Sequence, residues 1–328
     1  MLTYILRRVL YMIPTLFAIS VVAFIVITLP PGDYVDRIVV EARAQGETIT
    51  EAQAQAMKVR YGLDKPWFIQ YLSWLGDILL RGDFGTSFRW NLPVSTLIWE
   101  RLALTFVLSF SSLLFIWLVA IPIGVYSAVK KYSLGDYIAT FFGFIGLAVP
   151  SFLIALVFMY VSFRYFGQSV GGLFSPEYVE APWSMAKILD MLSHLWIPMI
   201  VLGTAGTAAL IRTVRANLLD ELGRPYVTTA RAKGLSEGRL LVKYPLRLAL
   251  NPFVSSLNEI FVSLVSGATI VSVVLSLQTT GPLLLEALRS QDMYLAGGFI
   301  LMLSVLTVFG TLVSDILLAW LDPRIRYR

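Results

Sequence analysis

The chain has 328 residues, 57% of them hydrophobic and only 14% charged, with a mean hydropathy of +0.74. A soluble domain is normally about 45–50% apolar and about 25% charged, so this composition excludes an ordinary soluble fold and predicts one polytopic membrane bundle. The net charge of +5 is compatible with a nucleic-acid partner, but basic residues gathered in cytoplasmic loops account for it better, and the absence of cysteine excludes disulfides and thiolate chemistry.

Arg7 and Arg8 precede the first apolar stretch, Val9–Leu29. This resembles a signal peptide, but the run exceeds the 7–15 residues of a signal core and is followed by Pro30, Pro31 and Gly32 rather than by a small-residue cleavage site, so it reads as a retained helix. The loop from about residue 30 to 101 is predicted to be partly helical. One short helix begins near Glu51, capped by Thr48 or Thr50, and a second follows Pro66. Trp67, Tyr71 and Trp74 on that second helix fit a segment lying at the headgroup level, capping the outer mouth of the bundle or meeting a ligand or partner.

Five further apolar stretches follow: Leu102–Val129, Tyr137–Phe166, Leu195–Ala216, Asn251–Leu277 and Leu295–Leu321. The expected fold is an all-α polytopic membrane protein with six transmembrane helices. Lys and Arg mark cytoplasmic loops. Lys130 and Lys131 follow the second stretch, Arg212 to Arg247 cluster between the fourth and fifth, and Arg324, Arg326 and Arg328 close the chain, whereas the opposite loops hold only Arg164, Lys187 and Arg289. Both termini are therefore expected in the cytoplasm, with the 30–101 loop outside.

Enzymatic chemistry is hard to assemble from these residues. There is a single histidine, His194, expected at a helix end, no phosphate-binding Gly-Lys pair and no His-Glu-x-x-His. Energy must come from an ion gradient or from another polypeptide. Glu259 and Asp315 are the candidates for an ion site in a gradient-driven carrier. Small and hydroxyl residues in spans four and five (Thr204, Thr207, Ser266, Thr269 and Ser272) permit close helix packing and leave room for a polar solute; packing alone explains any single one of them equally well.

The segment from Glu221 to Arg247 departs from its surroundings. Pro225 suits a helix N1 position, Gly234 ends that helix, Ser236 can cap the next, and a second helix starts near Glu237. Tyr226, Ala230 and Leu235 fall toward one side, with Thr228, Arg231 and Lys233 elsewhere. Such a face suits docking into a groove; a basic loop resting on lipid headgroups is the equal alternative.

YVTTARAKGLS (226–236) resembles the cytoplasmic loop of permeases in the peptide/nickel branch of bacterial ABC importers. Thr228, Thr229 and Ala230 take the places of that loop's Glu-Ala-Ala pattern, Gly234 its glycine and Leu246 its leucine, while Arg247 stands where other importers have proline. YILRRVL (4–10), YGLDKP (61–66), GDFGTS (82–87), Pro150-Ser-Phe, His194-Leu-Trp-Ile-Pro, Arg212-x-x-Arg215 and DPRIR (322–326) are similar to further family motifs, so the likeness covers nearly the whole chain. It implies a non-enzymatic permease with a first helix over 1–30, a periplasmic loop over 31–101 and a core over 102–328 that includes a coupling loop over 217–247. Tyr226, Thr229, Ala230, Arg231, Ala232, Lys233, Gly234 and Leu235 would dock an ATP-binding subunit. The implied partners are a second homologous permease, two ATP-binding subunits that carry ATP and Mg, and an extracytoplasmic solute-binding protein; no cofactor is expected in this chain. One region departs: SVVLSLQTTG (272–281) lacks the family's acid, proline and first glycine, which leaves oligosaccharides and opines open beside peptides as cargo.

Overall fold

A computed structural model describes residues 2–29, 31–167, 171–250 and 269–321. Among these the chain is helical, and the one β pairing is an isolated bridge between Thr86 and Pro93. The described residues form two compact units, one of residues 1–104 with 279–328 and the other of residues 105–278.

In the first unit, α1 (Leu2–Thr28) runs along α14 (Met293–Leu321), which follows the short α13 (Thr280–Arg289). Between α1 and α5 (Val94–Val129) lie α2 (Tyr34–Ala44), α3 (Glu51–Tyr61) and α4 (Trp67–Arg81). Local rules place their ends. Asp33 and Asp36 form a capping box on α2, Thr50 and Gln53 form one on α3, and Gly62 and Gly82 close α3 and α4 in the left-handed conformation. Lys58 of α3 reaches Asp33 at 2.9 Å and Asp36 at 2.7 Å, tying α3 to α2.

Of the three aromatics read as lying at the headgroup level, only Trp67 is exposed, at 53%. Tyr71 and Trp74 are buried in protein instead. The Phe24 ring lies 5.3 Å from that of Tyr71 and 5.8 Å from that of Trp74, and the Ser20 and Tyr71 hydroxyls are 2.8 Å apart. Apolar area against α1 is removed from lipid and water alike, and aromatic pairing adds to it.

The GDFGTS turn packs against the start of α14. The Ser87 hydroxyl donates to Asp292 Oδ2 at 2.5 Å, the Arg89 N–H donates to the same oxygen, and the Leu295 N–H donates to Oδ1. A side chain on Gly85 (φ +86°) would lie 3.1 Å from the Tyr294 ring, so glycine is required there on two counts. Burial pushes the Asp292 carboxyl above its ordinary value.

The second unit holds the rest of α5, then α6 (Leu134–Ala148), α7 (Ser151–Phe166), α8 (Met185–Leu222), α9 (Pro225–Ala232), α10 (Glu237–Lys243), α11 (Pro245–Ala249) and α12 (Thr269–Val274). The stretch expected as one span over Tyr137–Phe166 is two helices meeting at 98°. Pro150 causes this: it cannot donate a helical hydrogen bond, and it drives Val149 to extended backbone (φ −87°, ψ 121°). Helix α8 has 38 residues and so extends about 57 Å, well beyond the ~30 Å of a bilayer core. It starts nine residues before His194, which is therefore inside the helix rather than at its end. His194 Nδ1 donates to the Asp190 carbonyl at 2.8 Å, the ordinary i−4 acceptor. Close approach of α8 to α5 depends on Gly203, where an added Cβ would meet the Phe115 ring at 2.6 Å.

Candidate docking segment and solute path

The basic segment is carried on the end of α8, and a buried ion pair anchors that helix. Arg215 Nε and Nη2 donate to the two oxygens of Asp136 at 2.7 and 2.8 Å, and the Tyr132 N–H donates to the same carboxylate at 2.9 Å. Asp136 is in the first turn of α6, where Ser133 accepts from its N–H. The carboxylate thus completes a helix start and locks α6 onto α8 in one geometry. Asp136 was missed from sequence, although SLGD (133–136) has the capping-box spacing that signals it.

Beyond Gly223 the chain folds as expected. Pro225 occupies N1 of α9, Lys233 is its C-cap, and Gly234 follows at φ +80°. No atom lies within 4 Å of where a Gly234 Cβ would stand, so the demand for glycine is purely one of backbone conformation. Ser236 is the N-cap residue of α10 but makes no side-chain cap bond.

Val227 and Ala230 of α9 pack on Leu240 of α10, with Tyr226 and Leu235 beside them, and hold the helix–bend–helix together. Seven of the eight docking residues divide between two faces, and the eighth, Gly234, makes the bend. Arg231 and Ala232 are exposed, and Arg231 is held by Glu237 through Nε at 2.5 Å and Nη2 at 3.0 Å. Tyr226, Thr229, Ala230, Lys233 and Leu235 line a cleft of about 520 Å³ shared with α10 and α11. Lys233 therefore sides with Tyr226 and Ala230, not with Arg231 as the sequence pattern suggested. The Tyr226 hydroxyl donates to Glu221 Oε2 at 2.5 Å, and burial followed by that contact raises the phenol to about 12.

The proposed path residues do not form one group. Thr204 and Thr207 line a largely apolar cleft of about 580 Å³ between α5, α6 and α8. Thr204 spends its hydroxyl on the Ile200 carbonyl at 2.7 Å, and Thr207 Oγ1 is buried without a hydrogen-bond partner among the described residues. Thr269 and Ser272 are on α12, which packs on α7, and Ser272 is buried. Ser266 and Glu259 lie outside the described residues, and Asp315 is on α14.

Among the described residues, four helices are long and apolar enough to cross a membrane, or five if α6 and α7 together make one span. With helices throughout and no strand among the described residues, the chain is an all-α polytopic membrane protein. It belongs to the binding-protein-dependent transport system inner membrane components: the family profile of that description matches residues 120–327, and the profile of the family's N-terminal region matches residues 1–109. The chain is similar to the oligopeptide transport system permease protein AppB of Bacillus subtilis (strain 168), at 37% identity covering all of both chains. It is also similar to the dipeptide transport system permease protein DppB of Escherichia coli (strain K12), at 31% identity over all of both, and to the inner membrane ABC transporter permease protein YejB of Escherichia coli O157:H7, at 32% over 99% of this chain and 98% of that one.

Proposed function

We propose that this chain is the membrane-spanning permease subunit of an ATP-driven importer and that its cargo is di- and oligopeptides. The observation that carries this reading is full-length similarity to permeases named for oligopeptide and dipeptide transport. These names favour peptides over the oligosaccharides and opines that the altered 272–281 run left open, and they give a gradient-driven carrier no support. The six spans would be α1, α5, the bent pair α6–α7, α8, the apolar run ending at Leu277, and α14. The termini would be cytoplasmic and the 31–101 segment periplasmic. The partners would be a second homologous permease, two ATP-binding subunits holding ATP and Mg, and a solute-binding protein on the outer side.

In this reading α9 enters a cleft of an ATP-binding subunit by its exposed face, Thr228, Arg231 and Ala232, while Gly234 sets the bend. The pair Arg231–Glu237 makes α9 and α10 one rigid lever. The rod-like α8, pinned by Asp136 and Arg215, carries that motion toward Thr204 and Thr207, where the helices would open alternately to either side. Reconstitution in liposomes with the ATP-binding subunits and the binding protein tests this. Labelled dipeptide uptake should require ATP and all partners, and Gly234→Trp should abolish it. Uptake without an ATP-binding subunit would refute the reading.

A further inference from the structure

We propose that the cleft between α9, α10 and α11 binds the headgroup of an acidic phospholipid. The argument starts from charge. From Glu221 to Arg247 the chain carries six basic residues, Arg224, Arg231, Lys233, Arg239, Lys243 and Arg247, against two acids, Glu221 and Glu237. Both acids are engaged. Glu237 takes Arg231 in a two-point contact, and Glu221 takes the Tyr226 hydroxyl with Arg224 at 3.9 Å. Lys233, Lys243 and Arg247 have no carboxylate within 4.0 Å among the described residues, and all three line the same cleft. Three like charges converging on one concavity repel one another unless an anion joins them.

The walls say which anion. Tyr226 and Tyr244, with rings 6.4 Å apart, and the half-exposed Leu248 make the rest of the cleft amphipathic. Tyrosine and basic side chains over an apolar floor are the chemistry of the membrane–water boundary. A free anion would use the cations and leave Leu248 and the Lys243-capped Tyr244 ring facing water. A phospholipid satisfies both, with its phosphate on the cations and its glycerol and first methylenes on Leu248. The place in the chain agrees: α11 ends at Ala249, and the next apolar run begins at Asn251. Basic clusters at that position draw acidic lipids. The cleft uses the stripe Tyr226, Thr229, Ala230 and Lys233 of α9, leaving the Arg231 and Ala232 face unobstructed.

The test uses the full-length chain in nanodiscs of phosphatidylcholine with or without one quarter phosphatidylglycerol, with retained lipid read by native mass spectrometry. Wild type should retain phosphatidylglycerol selectively. Each Lys or Arg near a lipid surface contributes about fivefold, so Lys233→Gln, Lys243→Gln and Arg247→Gln together should reduce retention on the order of 100-fold. Lys243→Gln alone, a surface change that leaves the fold intact, should reduce it about fivefold. A charge-matched control (Lys131→Gln, Arg224→Gln and Arg239→Gln) should retain phosphatidylglycerol as wild type does. Equal loss in the control would overturn the proposal, because it would show a diffuse surface charge. So would unchanged retention in the triple variant, displacement of the lipid by millimolar inorganic phosphate, or its displacement when ATP-binding subunits are added.

Discussion

Removing one partner of the Asp136–Arg215 pair should destabilise the second unit, and by different amounts from the two sides. Breaking a buried pair by truncating one member costs about 3–5 kcal/mol, because the other charge stays buried without compensation. The Asp136 side chain is 3% exposed and that of Arg215 is 26% exposed. Asp136→Ala strands a guanidinium that water can partly reach, so the loss should be near the lower bound, about 3 kcal/mol. Arg215→Ala strands a carboxylate that loses its two charge-assisted contacts and keeps the Tyr132 N–H, and the loss should be about 4 kcal/mol. In the double variant neither charge is stranded, so it should be no worse than the worse single one, giving a coupling of about 3 kcal/mol in the cycle. The assay is SDS titration in mixed micelles, followed by near-ultraviolet circular dichroism. If the two single losses add to within about 0.5 kcal/mol in the double variant, the pair does not act as a unit and the account of the α8 anchor is wrong.

Trp74→Ala should cost about 3–5 kcal/mol as a core truncation, while Trp67→Ala stays within about 0.5 kcal/mol in detergent; equal effects in the same titration would return α4 to the headgroup reading. Gly234→Ala should cost about 1 kcal/mol through its positive φ alone, and Gly234→Trp should cost no more, since its Cβ site is open; a loss beyond 3 kcal/mol for Trp only would show a hidden steric contact. The Lys58 hydrogen bond is the main cause holding Asp36 below 3.8, so its stabilisation is present above that value and is lost as pH falls through the folded value. The stability gap between wild type and Asp36→Asn should therefore close on acidification. Asp292 is shifted the other way by burial, so its contribution is greatest below 3.8 and is lost as pH rises through its folded value. Chemical-shift titration of a labelled Asp292 carboxyl should give a midpoint above 3.8, and one at or below it would refute the burial argument.

Much of the docking segment was legible because its rules act over a few residues. Pro225 at N1, Gly234 in the left-handed turn and the cap at Thr50 each depend on neighbours within one helical turn; the first two stand where the pattern put them, and the structure chose Thr50 over Thr48 as the cap. The rotation of α9 was less legible. Arg231 and Lys233 differ by two positions, about 200° around a helix, and only the packing of Val227 and Ala230 on Leu240 decides which of them meets the cleft. The bend at Pro150 carried a readable signal, yet apolar residues on both sides of it hid the break between its two helices.

Chain chemistry alone established an all-helical membrane protein with a basic helix–bend–helix in one loop, since hydropathy, turn residues and charge placement are local properties. The tertiary structure decided which side chains meet across the chain. Asp136 finds Arg215 79 positions away, Ser87 finds Asp292 205 positions away, and Tyr71 finds Ser20 beneath it rather than the headgroups. Such pairs have no periodicity to announce them. They form because a buried charge or hydroxyl without a partner costs more than the ordering needed to bring one to it, and that balance is set by the packed fold.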